Sequence, residues 1–299
     1  MLDRLTIRKR LTKVGLLLLV ACTLAVSGMS AAGASPTHHR PRSYVALGDS
    51  YTAAPGVPTQ DGTPCARSDH NYPSVVAAKV RPATFVDVSC SGATTVEMTS
   101  PQLNDGTVIN PAQFDALSRK TRLVTLGIGG NDIGFSSIAG TCVQLSAKNP
   151  AGSPCRDFYT SGGSDKLAEL LVDTAPKIAK VIAGIHSRAP LADVLVVGYP
   201  TILPDDGNGC FPELPIAAGD VPYLRDFVKA LDSMLATQAG EHRARFVDTY
   251  QSTIGHDVCQ PTGTRWVEGV RPTSPGAPLH PNALGERAMG EAVLAALHP

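Results

Sequence analysis

Ser43-Tyr44-Val45-Ala46-Leu47-Gly48-Asp49-Ser50-Tyr51 is the stretch from which the fold can be read. Ser43 to Leu47 is a short, near-continuous apolar run, the pattern of a strand buried on both faces, and Gly48 stops it. Residues just beyond such a strand lie at the carboxyl edge of an open α/β sheet, where ligand sites form. A serine between that strand and a helix can expose its Oγ there. The same serine could instead be a helix N-cap.

Outward from this strand, short apolar runs alternate with helical patterns. Thr84–Val88, Arg122–Ile128, Asp193–Val197 and Arg245–Asp248 are further predicted strands. Tyr72-Pro73 opens a helix to about Val80, with proline at its first position. Leu167, Leu170, Leu171, Ile178 and Ile182 give the segment Ser164–His186 an apolar helical face. Pro222 to about Ala239 and Asn282–Leu297 are also predicted helices, while Cys142–Gly163 is rich in breakers and reads as loop. Such alternation implies an α/β fold: a three-layer α/β/α sandwich around a central parallel sheet of about five strands.

Residues 1–34 suggest export. Arg4, Arg8, Lys9, Arg10 and Lys13 precede an apolar run from Val14 to Val26, and Ala32-Gly33-Ala34 resembles a cleavage site. Residues 1–34 are therefore expected to be a signal peptide, 35–42 a polar tail and 43–299 a single domain. The apolar run is too short to span a membrane, so no stable anchor is expected. Leu19-Val20-Ala21-Cys22 also resembles a lipoprotein box, but apolar residues continue past Cys22. Residues 1–34 hold five of the 26 Lys/Arg and one of the 26 Asp/Glu, so cleavage leaves 21 basic and 25 acidic residues. That balance, with dispersed cations, gives no footprint for nucleic acid. Six cysteines remain (Cys65, Cys90, Cys142, Cys155, Cys210 and Cys259), and an even number in an exported chain implies disulfides. No C-x-x-C or H-x-x-x-H spacing suggests a metal.

Three more segments complete a pattern. Ser91-Gly92-Ala93-Thr94 follows the second strand, Gly129-Gly130-Asn131-Asp132 the third, and Leu279-His280-Pro281-Asn282 precedes the last helix. With Gly48-Asp49-Ser50, these resemble in order the four blocks of the SGNH (GDSL) hydrolase superfamily, over residues 43 to 297. The resemblance implies a flavodoxin-like sheet and a serine carboxylester hydrolase (lipase or esterase). It makes Ser50 the nucleophile and His280 the general base and acid. Ser50, Gly92 and Asn131 would form the oxyanion hole. Gly92, having no Cβ, suits close approach of its N–H to substrate. No cofactor is implied. The expected partner is a small-molecule or lipid ester, and the chain is expected to act as a monomer.

The family usually places an Asp three residues before the catalytic His. Here Ala277 stands there. The resemblance therefore implies a Ser–His dyad in which the Ala277 main-chain carbonyl orients His280, with Asp248 and Asp257 as alternative orienters. The cysteine distribution resembles the extracellular actinobacterial lipase/esterase branch and implies the pairs Cys65–Cys90, Cys142–Cys155 and Cys210–Cys259. A carbohydrate deacetylase is the alternative activity, disfavoured by a single tryptophan, Trp266. A non-catalytic binding module of the same fold would be expected to lose Ser50 or His280, and both are present.

Overall fold

The computed structural model describes residues 43–297, so the readings of 1–34, of Cys22 and of 35–42 lie outside the described residues. In chain order the elements are β1 (Ser43–Gly48), the one-turn helix α1 (Ser50–Ala53), α2 (Tyr72–Val80), β2 (Thr84–Asp87), β3 (Gln102–Asn104), β4 (Thr107–Asn110), β5 (Leu123–Gly127), α3 (Phe135–Ser146), α4 (Pro154–Thr160), α5 (Lys166–Arg188), β6 (Asp193–Val197), α6 (Val221–Glu241), β7 (Arg245–Val247) and α7 (Ala283–Leu297). Five strands form one sheet in the order β2-β1-β5-β6-β7. Every neighbouring pair in it is parallel.

Period-two alternation divides this sheet between two cores. Tyr44 and Ala46 of β1 face Tyr72 and Val76 of α2 and Met289 and Val293 of α7. Val45 and Leu47 face Ile178 and Ile182 of α5 and Leu231 and Leu235 of α6. The result is a three-layer α/β/α sandwich, in which each large apolar side chain contributes about 1.5–3 kcal/mol on burial. The chain runs from β1 outward to β2, then returns across β1 to β5. That reversal is the topological switch point of an open sheet, and it opens a crevice beyond the carboxyl ends of β1 and β5.

The segment predicted as loop, Cys142–Gly163, instead carries the end of α3 and all of α4. The buried face of α3 is Ile138, Cys142 and Ser146, spaced four apart but with only one aliphatic residue. The Ser146 hydroxyl accepts the Ala217 N–H at 2.8 Å, so a polar residue serves as core. The α4 N-terminus is capped from a distance, its Cys155 and Arg156 N–H groups donating to the Asp220 carboxylate at 3.0 and 2.9 Å. Neither feature is visible in local hydrophobic periodicity. The β3–β4 hairpin is a further element beyond the predicted ones, with Asp105 (φ +48°) and Gly106 (φ +77°) forming its turn. An Asp-Gly pair there is a strong hairpin signal.

The six cysteines form three disulfides, Cys65–Cys90, Cys142–Cys155 and Cys210–Cys259. The first ties the loop after α1 to the turn after β2, the second joins α3 to α4, and the third ties two long loops on the α6 side.

Candidate active site

Helix α1 starts immediately beyond β1 and is capped by Asp49, whose Oδ1 accepts the Tyr51 N–H at 2.9 Å. The cap is thus Asp49, not Ser50, and the Ser50 hydroxyl is left for another partner. That partner is His280: the Ser50 O–H donates to Nε2 across 2.7 Å. The contact joins residues 230 positions apart.

The other ring nitrogen defines the tautomer. His280 Nδ1–H donates to the Pro278 carbonyl at 2.8 Å, which leaves Nε2 unprotonated and facing Ser50. The expectation that the Ala277 carbonyl would orient the ring is corrected here. Ala277 O instead accepts the main-chain N–H of His280 at 3.2 Å, closing the turn Ala277-Pro278-Leu279-His280. Proline at the second position and a left-handed third residue, Leu279 (φ +60°), mark a type II turn. Turn closure occupies the Ala277 carbonyl and leaves that of Pro278 for the ring. Asp248 and Asp257 are engaged elsewhere, accepting the N–H of Gln251 and of Cys259 respectively. Burial holds the half-buried His280 ring below its ordinary value of 6.5, and the Pro278 carbonyl offsets this only in part. No carboxylate contributes to that balance.

The turn bearing His280 is stapled from several sides. Tyr51 Oη donates to the Leu279 carbonyl at 2.6 Å, and the Tyr51 ring packs against the His280 ring with centroids 4.8 Å apart. Main-chain bonds Glu268 N–H to His280 O (2.9 Å) and Leu279 N–H to Glu268 O (3.0 Å) align it with a second strand-like segment. The buried Glu268 carboxylate accepts from the Asn282 amide at 2.7 Å and the Thr273 N–H at 2.8 Å. These bonds, with that of Ser274, hold its carboxyl below the usual range despite desolvation.

Across the crevice, Asn131 follows β5. Its Nδ2 donates to the Ala93 carbonyl at 2.9 Å, which fixes the amide plane and leaves the second amide hydrogen. Next to it, the Asp132 carboxylate accepts the Thr95 N–H (2.9 Å) and hydroxyl (2.5 Å), so the turns after β2 and β5 are doubly tied. Gly92 lies in the turn after β2 with φ +82°. A Cβ there would meet only Gln102 Nε2 at 3.6 Å, so it is the backbone conformation, more than space, that demands glycine. Ser50, His280 and Asn131 line one recess, together with Ile133, Phe135, Ile202, Phe227 and Leu231. Gly92 is not among its lining residues; it is joined to it through Ala93.

That recess encloses about 440 Å³, its open mouth included. A second recess of about 480 Å³ shares Phe135, Ile202 and Phe227 with it and is otherwise lined by apolar groups, among them Ile138, Leu214, Leu224 and Leu279. Trp266 lines neither recess and stacks flat on His256 at 3.4 Å. No cluster of three or more His, Cys, Asp or Glu suited to a metal ion occurs among the described residues. Asp49, Tyr51, Tyr199 and Pro278 were not singled out from the sequence. Asp49 belongs to the Gly48-Asp49-Ser50 motif, and Pro278 stands two residues before the histidine; the two tyrosines carry no local signal.

Comparison with known proteins agrees with this architecture. Residues 46–288 match the GDSL-like lipase/acylhydrolase family. Lipase 2 of Streptomyces coelicolor is 41% identical over 92% of this chain and 90% of its own length. A lipase of Streptomyces rimosus is 32% identical over 90% of this chain and 91% of its own. The crystal structure of phospholipase A1 from Streptomyces albidoflavus superposes with a TM-score of 0.68 at 28% identity, covering 86% of this chain and 99% of that one. With a family match over most of its length, relatives named lipase and a parallel sheet of the same fold, the chain belongs to the GDSL-like lipase/acylhydrolase family and is a carboxylic ester hydrolase.

Proposed function

We propose that the chain is a secreted serine lipase or esterase acting on lipid acyl esters, with Ser50 and His280 as a catalytic dyad. The single observation that carries this reading is the 2.7 Å contact between Ser50 Oγ and an Nε2 left basic by the Pro278 carbonyl. In the reaction Ser50 Oγ attacks the acyl carbonyl carbon while its proton passes to His280 Nε2. The carbonyl π electrons move to oxygen, and the oxyanion accepts from the Ser50 and Gly92 N–H groups and the Asn131 amide. Collapse expels the alkoxide, which takes the proton from His280. Water then repeats the sequence on the acyl-enzyme and releases the acid.

The apolar lining of both recesses supports hydrocarbon acyl groups, because burying each CH₂ there is worth roughly 0.8 kcal/mol. Trp266 lines neither recess and stacks on His256, so it is no platform for a sugar at Ser50. Three disulfides and the features of residues 1–34 support export. So does a relative: an extracellular lipase of Streptomyces rimosus superposes with a TM-score of 0.68 at 26% identity.

The test is hydrolysis of p-nitrophenyl esters from acetyl to palmitoyl, with acetylated xylan in parallel and Ser50→Ala as control. The reading expects turnover of medium- and long-chain esters, none of it by Ser50→Ala, and little release from xylan. Exclusive deacetylation of xylan would replace the substrate class, and full activity of Ser50→Ala would remove the mechanism.

A further inference from the structure

We propose that Tyr199 is a positioning residue for the oxyanion side of the site, anchored by Asp49; this rests on Ser50 and Asn131 acting as proposed above. Tyr199 follows β6, the strand beyond β5, and both it and Asp49 are buried. Its Oη donates to Asp49 Oδ2 at 2.6 Å and accepts the Gly130 N–H at 2.7 Å. One oxygen thus bridges the turn that carries Ser50 to the turn that carries Asn131. Asp49 in turn caps α1 through its other oxygen, so the bridge reaches the residue after Ser50 as well as the one before Asn131.

The sequence is fitted to this bridge. Gly130 has no room for a side chain, since a Cβ would lie 2.9 Å from Tyr199 Oη and 3.1 Å from its Cζ. The preceding Gly129 takes φ +122°, a conformation that aims the Gly130 N–H at the hydroxyl. The main-chain N–H of Tyr199 donates to buried Asp232 at 2.8 Å, and its ring meets that of Tyr51 edge-on with centroids 5.0 Å apart. On its other side, Asn131 is held by Ala93 and, through Asp132, by Thr95. Tyr199 supplies a side-chain clamp from the Ser50 side, beside the main-chain bond from Asp49 N–H to Gly127 O at 2.9 Å.

The bridge is also sensitive to protonation. A hydroxyl that gives its proton to a carboxylate is a better acceptor for Gly130. Burial raises the Asp49 carboxyl to about 7, despite the stabilising bonds from Tyr199 and Tyr51. The groups that face it are Tyr51 on α1, Tyr199 beyond β6 and Asp132 beyond β5, with His280 on the far side of the Tyr51 ring. A proton on Asp49 competes with Gly130 for the Tyr199 oxygen, so kcat should fall as pH drops through this value.

The test compares wild type, Tyr199→Phe, Asp49→Asn and Ser50→Ala on p-nitrophenyl butyrate, with diethyl p-nitrophenyl phosphate as a titrant of the serine. Tyr199→Phe keeps the ring and its packing. It is expected to lower kcat about 10- to 100-fold, as misplacement of a reacting group does, with KM within about threefold. Phosphorylation by the titrant should slow by a similar factor. A kcat within about twofold of wild type, or a lowered Tm with kcat preserved, would overturn the proposal. Should Tyr199→Phe fail to fold, the near-isosteric Asp49→Asn decides. It should lower kcat as Tyr199→Phe does and abolish the inflection expected near pH 7 in wild type; a kcat within about twofold of wild type also overturns the proposal. Ser50→Ala separates the two levels: activity there removes the nucleophile assignment, whatever Tyr199 does.

Discussion

The two sides of the crevice are held by different chemistry. On the histidine side the groups that contact the ring and its turn are main-chain carbonyls, Pro278 O for the ring and Leu279 O and Glu268 O for the turn, while the buried Glu268 carboxylate holds only the flanking Asn282, Thr273 and Ser274. On the asparagine side they are carboxylates, the buried Asp49 and the half-buried Asp132, reaching across strands to Tyr199 and Thr95. Burial lowers the His280 ring and the Pro278 carbonyl, which fixes its tautomer, raises it too little to compensate, so the ring stays below its ordinary value. The carboxylates face the donors Tyr199 and Thr95 rather than the His280 ring. The difference teaches that a missing third member at Ala277 need not be replaced by another acid. Geometry from a type II turn does the orienting.

The hardest blow to this picture should come from Ser50→Ala and His280→Ala, each expected to cost about 10⁴-fold or more in kcat, with the double variant little worse. Substantial additivity would mean that the pair does not act as a unit. Asn131→Ala tests the opposite side and should lower kcat roughly 10²–10³-fold with a smaller change in KM. A raised KM at constant kcat would make it a binding or capping residue. Tyr51→Phe, which removes the 2.6 Å bond to Leu279 O, should cost about tenfold in kcat, since the histidine turn keeps its main-chain bonds to Glu268. If Tyr51→Phe costs as much as Asn131→Ala, the histidine side depends on side chains after all. Asp248→Asn and Asp257→Asn should stay within about tenfold, because neither carboxylate reaches His280; a loss near 10⁴ in a folded variant would identify a hidden acid.

How much of this was legible in the sequence follows from the range of the interactions. The strand Asp193–Val197 was read with the bounds it has, and β1 within one residue, because a strand buried on both faces writes itself as a continuous apolar run. The end of α3 was not legible, since its inward positions are Ile138, Cys142 and Ser146 and its apolar stripe is broken. The α4 cap, Asp220, lies 65 residues beyond Cys155. The site divides in the same way. Ser50, Asn131 and His280 stood in short motifs at strand ends and helix starts. Tyr51 meets Leu279 across 228 positions and Tyr199 meets Asp49 across 150, so neither tyrosine had a local signature. Pro278 was adjacent, yet choosing between its carbonyl and that of Ala277 required the left-handed turn at Leu279, which a residue with a large side chain rarely adopts.

The central claim is that a neutral carbonyl, not a carboxylate, orients the base. A nitrogen NMR titration of histidine-labelled protein tests it most directly, with His280 assigned by its loss in His280→Gln. The account predicts a neutral ring carrying its hydrogen on Nδ1 and titrating below 6.5, so that the working base survives into mildly acidic solution. A ring that titrates above 7, as beside a carboxylate, or one protonated on Nε2 when neutral, would contradict it.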